Sequence, residues 1–372
     1  MSLTSVAHRH ETPVPFWVLR HHTPSPVNSV SFANNNTLLV AGDAQGRVSV
    51  SSMVDYRPQF FWDAHKDSIL RADAWEGYLV THGRDNCVRV WATPETALNP
   101  HGGTTALGIP KLVASVEVNA LNYYGADGPL HGWLAVPNIL ESAWIDIFQL
   151  PQRIRVAEAV GKLAVVKSGA ERPAIVMGLC LEQRDSSLVL AAGYEDGSAQ
   201  AWTLPIHHEK LGQAELLWSS KEHTESVMSM CLTPDKSAVL TVGADDLLVY
   251  TALTPNALSK KYSTQHPGNA CVAMRADAHV VAVGSWDSFI RILSMPEGIL
   301  LAKLAYHKDS VYSLAYARFD TTHTLALGPE SSSEDESVSL ATKPTPRLMA
   351  AGAKDGRITL WDTHFTTEDA RW

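Results

Sequence analysis

Three histidines, His65, His223 and His307, each stand a strand and a turn ahead of an aspartate: Asp85, Asp245 and Asp355. An imidazole meeting a carboxylate is the core of base-assisted nucleophilic catalysis, in which the aspartate orients the ring and the ring takes a proton from a hydroxyl or thiol. An active site is needed once. This chain carries the pair three times in the same order, each followed by an aromatic: Trp91, Tyr250 and Trp361. Such repetition predicts a structural brace that locks a repeated unit. On that reading Asp85→Ala and Asp355→Ala lower stability rather than abolish a turnover.

Other reactive residue types are poorly placed for chemistry. Cys87, Cys180, Cys231 and Cys271 sit singly in strand-like segments, with no CxxC spacing, and are expected to be buried, reduced thiols of an intracellular protein. The GYEDG and GAKDG turns lack the Lys-Ser/Thr ending and the following helix that a phosphate loop needs. There is no GxSxG and no HExxH. No catalytic residue, metal or cofactor is expected. Trp62, Trp75 and Trp286 lie away from the strand-terminal aromatic position and are candidate exposed docking residues, because tryptophan is enriched in interface hot spots. Ser331, Ser332 and Ser333 in ESSSEDE each have an acid three residues on, the pattern of an acid-directed phosphorylation site in a solvated, disordered loop.

The elements that position these residues follow from a recurring phrase: a short apolar strand, a turn rich in Gly and Asp, and an alternating strand. It appears as LVAGDAQGRVSV, LVTHGRDNCVRVW, LAAGYEDGSAQAW, LTVGADDLLVY, VAVGSWDSFIRIL and MAAGAKDGRITLWD. LAVPNILESAWIDIF is a seventh, degenerate copy. The turns supply Gly, Asp or Asn where a tight hairpin needs left-handed backbone. In Val88-Arg89-Val90-Trp91 the two valines share one face, as a strand requires. A further strand precedes most hairpins, after a histidine in AHKDSILR, EHTESVMSM and YHKDSVYSLAY, and without one in SPVNSVSF and NACVAM. One unit is then a four-stranded antiparallel sheet of about 40 residues, the WD40 type.

Seven copies predict an all-β, seven-bladed WD40 propeller. The last copy ends close to the C-terminus without an outer strand, so strand-like Pro15–Arg20 is expected to pair with it and close the ring. The predicted layout is a flexible N-terminus over 1–12, one propeller over 13–364 and a C-terminal tail over 365–372. Turn-glycine spacings of 41, 50 and 68 residues imply insertions, placed near 94–110, 156–173 and 320–346.

Composition bounds the function. The 372 residues are 45% hydrophobic, enough for a large core, and carry a net charge of −9. No Lys/Arg run exceeds two residues, which argues against direct nucleic-acid binding. No stretch approaches a membrane span, and MSLTSVAHRHETP lacks an apolar signal core.

Several segments point further. TPVPFWVLRHHTPSPVNSVSF, AHKDSIL with LVTHGRDNCVRVW, and above all the third copy LAVPNILESAWIDIFQLPQRIRV resemble the fungal ASTRA-associated WD-repeat proteins. MGLCLEQRDSSLVLAAGYEDGSAQAW and LMAAGAKDGRITLWD fit the same family, so the resemblance covers nearly the whole chain. In WD repeats the His–Asp pair, with a Ser/Thr and the Trp, forms a hydrogen-bonded brace inside each blade. The resemblance implies a nuclear (or also cytoplasmic) non-enzymatic subunit of the ASTRA complex, a Gβ-like WD40 scaffold. It implies links to chromatin remodelling and to co-chaperoned maturation of phosphatidylinositol-3-kinase-related kinases. Its implied partners are other ASTRA subunits and kinase-maturation co-chaperones, with the chain a monomer within a hetero-complex. Ser51 departs from the pattern, standing where the first blade would show an aromatic. Two other readings compete. A ubiquitin-ligase substrate receptor would carry Trp-Asp-x-Arg, but Trp361-Asp362 is followed by Thr363-His364. A histone-tail reader would bind in the central channel.

Overall fold

The computed structural model describes residues 13–75, 77–93, 109–120, 132–162, 174–207, 210–318 and 347–365. The described residues form strands almost throughout, and these assemble into seven antiparallel sheets, the blades of a propeller. Strand β1 (Trp17–Leu19) comes first. Blade 1 is β2 (Val27–Ala33), β3 (Leu38–Asp43), β4 (Arg47–Ser52) and β5 (Pro58–Asp63). Blade 2 is β6 (Ile69–Trp75), β7 (Tyr78–Gly83), β8 (Cys87–Ala92) and β9 (Lys111–Glu117). Blade 3 contributes three described strands, β10 (Trp133–Pro137), β11 (Ile145–Gln149) and β12 (Ile154–Val160). Blade 4 is β13 (Val176–Arg184), β14 (Ser187–Tyr194), β15 (Ser198–His207) and β17 (Glu215–Lys221), with a small flap, β16 (Lys210–Leu211), on β15. Blade 5 is β18 (Val227–Leu232), β19 (Ala238–Gly243), β20 (Leu247–Ala252) and β21 (Ser259–Ser263). Blade 6 is β22 (Asn269–Met274), β23 (Val280–Ser285), β24 (Phe289–Ser294) and β25 (Leu300–Ala305). Blade 7 is β26 (Val311–Tyr316), β27 (Leu348–Ala353) and β28 (Ile358–Asp362), completed by β1.

That completion is the predicted closure. Trp17 lies opposite Leu360 and Leu19 opposite Ile358, antiparallel, and the Phe16 amide donates to the Leu360 carbonyl at 3.0 Å. Leu19 is buried with Val27, Leu39, Ile358 and Leu360 in the core between blades 7 and 1. The core is not central. It is a set of layers between neighbouring blades, so the second strand of a blade is buried on both faces: β3, β7, β19, β23 and β27 are almost wholly buried. The turn glycines make this close approach possible. A Cβ on Gly42 would come within 2.3 Å of the Ile69 side chain in blade 2.

Two boundaries differ from the sequence reading. The expected insertion at 156–173 begins too early, because Val156–Val160 belongs to β12 and pairs with β11; its alternation is broken by two register shifts, which hid the strand. Residues 163–173 of that insertion, with 94–108, 320–346 and residues 1–12, lie outside the described residues. The propeller core extends to residue 365, one beyond the expected boundary, because Phe365 is buried in the core cluster between blades 6 and 7; residues 366–372 lie outside the described residues.

Side chains staple neighbouring blades at the face where the first and second strands turn. Asn36 of blade 1 donates to the Arg318 carbonyl (2.6 Å) and accepts from its amide (2.8 Å), so its carboxamide acts as a peptide group joining blade 7. Arg184 of blade 4 donates to the carbonyls of Leu253 and Lys236 in blade 5. The buried guanidinium of Arg275 donates to the Thr363 carbonyl at 2.6 Å and the Phe365 carbonyl at 3.3 Å, and is held by Asp277 at 2.8 Å. Arg275→Ala would orphan both carbonyls, a loss of about 2–3 kcal/mol. Arg275→Lys keeps the charge but not the fork and should recover only part of it. Urea denaturation of the three proteins checks this; equal midpoints would show that the chain end contributes nothing.

Candidate functional site

The three predicted His–Asp pairs are close in space. His65 Nδ1 lies 2.7 Å from Asp85 and its Nε2 2.7 Å from the Thr81 hydroxyl, to which the Trp91 indole donates at 2.9 Å. His223 meets Asp245 at 3.0 Å and Thr241 at 2.9 Å. His307 meets Asp355 at 3.2 Å and Thr359 at 2.9 Å, and the Trp361 indole donates to Thr359 at 2.8 Å. Tyr250 does not take the tryptophan's part: it pairs with Leu240, one residue short of the position equivalent to Trp91, which Thr251 fills, and it is half-buried against the blade 5–6 core.

The hydroxyl comes from either member of one cross-strand pair. Thr81 and Thr241 are on the second strand of their blades, whereas Thr359 is on the third, opposite Ala351. A fourth brace follows the same rule and was not read from the sequence. In blade 1, His22 Nδ1 lies 2.9 Å from Asp43 and its Nε2 2.8 Å from Ser49, which faces Ala41. The second imidazole, His21, reaches the same Ser49 hydroxyl at 3.0 Å. All groups are satisfied when His21 donates to Ser49, Ser49 donates to His22 and His22 donates to Asp43. His21 thus takes the tryptophan's role in the blade where Ser51 replaces the aromatic. The available signal was the histidine itself, masked by spacing: His22 is five residues before Val27, while His65 is four before Ile69.

The remaining described braces use arginine. Arg291 grips Asp287 through two nitrogens at 3.1 and 2.6 Å and donates to Ser285 at 3.1 Å. In blade 3, Asp146 accepts from Asn138 at 2.9 Å and from Arg155 at 3.2 Å.

A hydroxyl, an imidazole and a carboxylate in line have the composition of a nucleophilic triad. Here they cannot act as one. Ser49, Thr81 and Thr359 are wholly buried and Thr241 nearly so, leaving no approach for a substrate. In blades 2 and 7 the hydroxyl oxygen also accepts an indole N–H. The chains hold strands together.

Electrostatics agrees with a structural role. Burial would raise the Asp43 carboxyl, but bonds from His22 and Arg47 outweigh it and hold it below the usual range. Asp85 and Asp355 are held down likewise, by His65 and by His307. Burial, with the neighbouring His22, pushes His21 down to about 4, and burial pushes the enclosed His82 to about 3. Each of these groups takes up a proton more readily in the unfolded chain. Stability is therefore full above the ordinary histidine value of about 6.5 and falls as pH drops toward 4, with a further loss as the aspartates are protonated below that. Urea midpoints at about pH 7.5 should exceed those at about pH 5; a flat profile would contradict the buried-histidine account.

The sequence profile of the family described as WD domain, G-beta repeat matches residues 13–50 and 331–362. The ASTRA-associated protein 1 of Verticillium alfalfae is 31% identical over 95% of this chain and 93% of its own length. The chain belongs to the ASTRA-associated protein 1 family. The Penicillium rubens protein of that name is 29% identical over 94% of this chain and 97% of its own length. The mouse guanine nucleotide-binding protein subunit beta-like protein 1 is 27% identical over 95% and 97%. The fold and the relatives are those of a protein-interaction scaffold.

In this family member the docking tryptophans separate. Trp62 is 5% exposed and Trp75 is 4% exposed, so neither is a surface docking residue. Trp62 packs edge-on against Trp91 at 5.8 Å, and Trp75 fills the core between blades 2 and 3. Trp286, on the turn after β23, is 47% exposed. Ser331, Ser332 and Ser333 lie outside the described residues. Of the four cysteines, all free thiols, Cys180 and Cys271 are buried, whereas Cys87 and Cys231 are partly exposed, a correction to the expectation of four buried thiols. Among the described residues no group of three His, Cys, Asp or Glu side chains could hold a metal ion.

The loop face, where each inner strand begins, carries Trp286. It opens on a central cavity of about 810 Å³. In all six described inner strands the register skips the second residue: Asn28, Leu70, Met177, Met228, Ala270 and Tyr312. Such bulges re-aim side chains, and five of these six line the cavity.

Proposed function

We propose that this chain is a non-enzymatic scaffold subunit of an ASTRA complex, presenting its propeller to other subunits and to the co-chaperones that mature phosphatidylinositol-3-kinase-related kinases. Its place is the nucleus, and its link to chromatin remodelling runs through those partners, since a net charge of −9 disfavours direct contact with nucleic acid. The observation that carries the reading is the end-to-end likeness to ASTRA-associated protein 1. The fold supports it: a closed, braced ring is pre-ordered, so little ordering entropy is lost when a partner docks.

Affinity purification of the tagged native protein with quantitative mass spectrometry tests the proposal. Stoichiometric recovery of ASTRA subunits and kinase-maturation co-chaperones is expected. Recovery of a cullin-ligase adaptor or of histones in their place would overturn it.

A further inference from the structure

We infer that the loop face around Trp286 docks a basic, extended segment of a partner protein, with a Lys or Arg side chain over the indole and an apolar side chain in the channel mouth. The inference rests on the scaffold reading and adds the face and the chemistry of the partner.

Trp286 is half-exposed but not loose. Its amide donates to the Gly268 carbonyl at 2.9 Å, and its own carbonyl accepts from Ser310 Oγ at 3.2 Å. The indole lies against Gly268, whose φ is +86° and where a Cβ would come within 2.8 Å of the ring. Trp286 is also among the residues that line the central cavity, with Met228 and Tyr312. A fixed aromatic face beside an apolar opening suits a cation with a hydrophobic neighbour.

The charge around it selects the partner. The loop bearing Asp246 is bonded to the same Gly268 segment: the Gly268 amide donates to the Ala244 carbonyl and the Thr264 amide to the Asp246 carbonyl, both at 2.8 Å. From there the Ala244 amide reaches the Ser226 carbonyl, and Ser226 Oγ donates to the Glu195 carbonyl. Asp246, Glu225 and Glu195 thus form an exposed arc from the edge of blade 6 to blade 4, flanking Met228. The lysines bordering this arc are engaged by their own acids, Lys221 by Asp196 at 3.6 Å and Lys261 by Glu222 at 2.6 Å, whereas Lys308, on the blade 7 side of Trp286, is exposed. The field of this arc attracts a basic peptide and repels phosphate backbones and anionic lipid.

The test is fluorescence anisotropy with the full chain and a labelled peptide of about twelve residues, carrying arginines and leucines among glycine and serine. The wild type should bind it, more weakly as salt rises. Trp286→Ala, and Glu225→Gln with Asp246→Asn, should each weaken binding at least ~tenfold, with Trp286→Phe recovering part. Thermal melts should show all variants folded, because these side chains are exposed. Equal binding of a peptide with glutamate in place of arginine, stronger binding of a single-stranded oligonucleotide, no binding at all, or a Trp286→Ala variant that binds as the wild type would each overturn the inference. Affinity purification separates the two readings. If the wild type recovers ASTRA subunits and Trp286→Ala recovers them all equally, the docking inference fails and the scaffold reading stands; if the wild type recovers none, the scaffold reading itself fails.

Discussion

Removing residues 1–20 should destabilise blade 7, more than 300 positions away in sequence, by at least about 4 kcal/mol. The loss has two sources. Burial of Leu19 between blades 7 and 1 is worth about 2–5 kcal/mol by analogy with core truncations. The ladder between β1 and β28 adds about 1 kcal/mol per bond, and its removal leaves the Leu360 carbonyl without the Phe16 amide. Trypsin should then cut first at Lys354 and Arg357, on the hairpin that loses its outer strand. A truncated protein with the wild-type urea midpoint and digestion pattern would refute closure as a source of stability.

Asp43→Ala should cost about 3–5 kcal/mol, the largest effect expected of any single brace residue. Asp43 is completely buried. It accepts from His22 at 2.9 Å, from the amides of Gln45 and Arg47 at 2.9 and 3.1 Å, and from the Arg47 guanidinium at 2.7 Å. Alanine leaves a buried imidazole and two backbone donors without acceptors. Asp43→Asn keeps one acceptor oxygen and should recover part of the loss. Asp196 occupies the equivalent turn of blade 4 but is exposed, bonded locally to Ser198, so Asp196→Ala should cost no more than about 1 kcal/mol. Equal costs for the two alanine variants would mean that burial of the brace contributes nothing.

Much of this architecture was legible in the chain, because the hairpin turn and its flanking apolar strands recur with little change. The closure by Pro15–Arg20 was legible for a topological reason: the last copy lacked an outer strand and only the N-terminus could supply one. The tryptophans were misread on physical grounds. In a two-layer protein, a residue off the strand's core face meets solvent; in a ring of blades, both faces of a sheet meet a neighbour, so Trp62 and Trp75 are enclosed although neither ends a third strand. The arginine brace of blade 6 did have a signature that was passed over, since Asp287–Arg291 repeats the spacing of Asp43–Arg47 and Asp85–Arg89, whereas the blade 3 brace and the Asn36 and Arg275 staples each occur once and bond across strands or across blades. His21 escaped because its role, a donor standing in for an indole, depends on a contact with Ser49 that the sequence spacing does not announce.

The ring closure also sets a timetable for synthesis. Trp17 and its partner Leu360 are 343 residues apart, so the strand that seals the last blade is made first and waits longest. At ribosomal rates of about 5–20 residues per second, that wait is roughly 20–70 s. During it Phe16, Trp17 and Leu19 form a nascent apolar tag with nothing to pair with. β1 can therefore pair only after β28 has been synthesised, so completion of blade 7 is a late step of folding however early its outer strand is made.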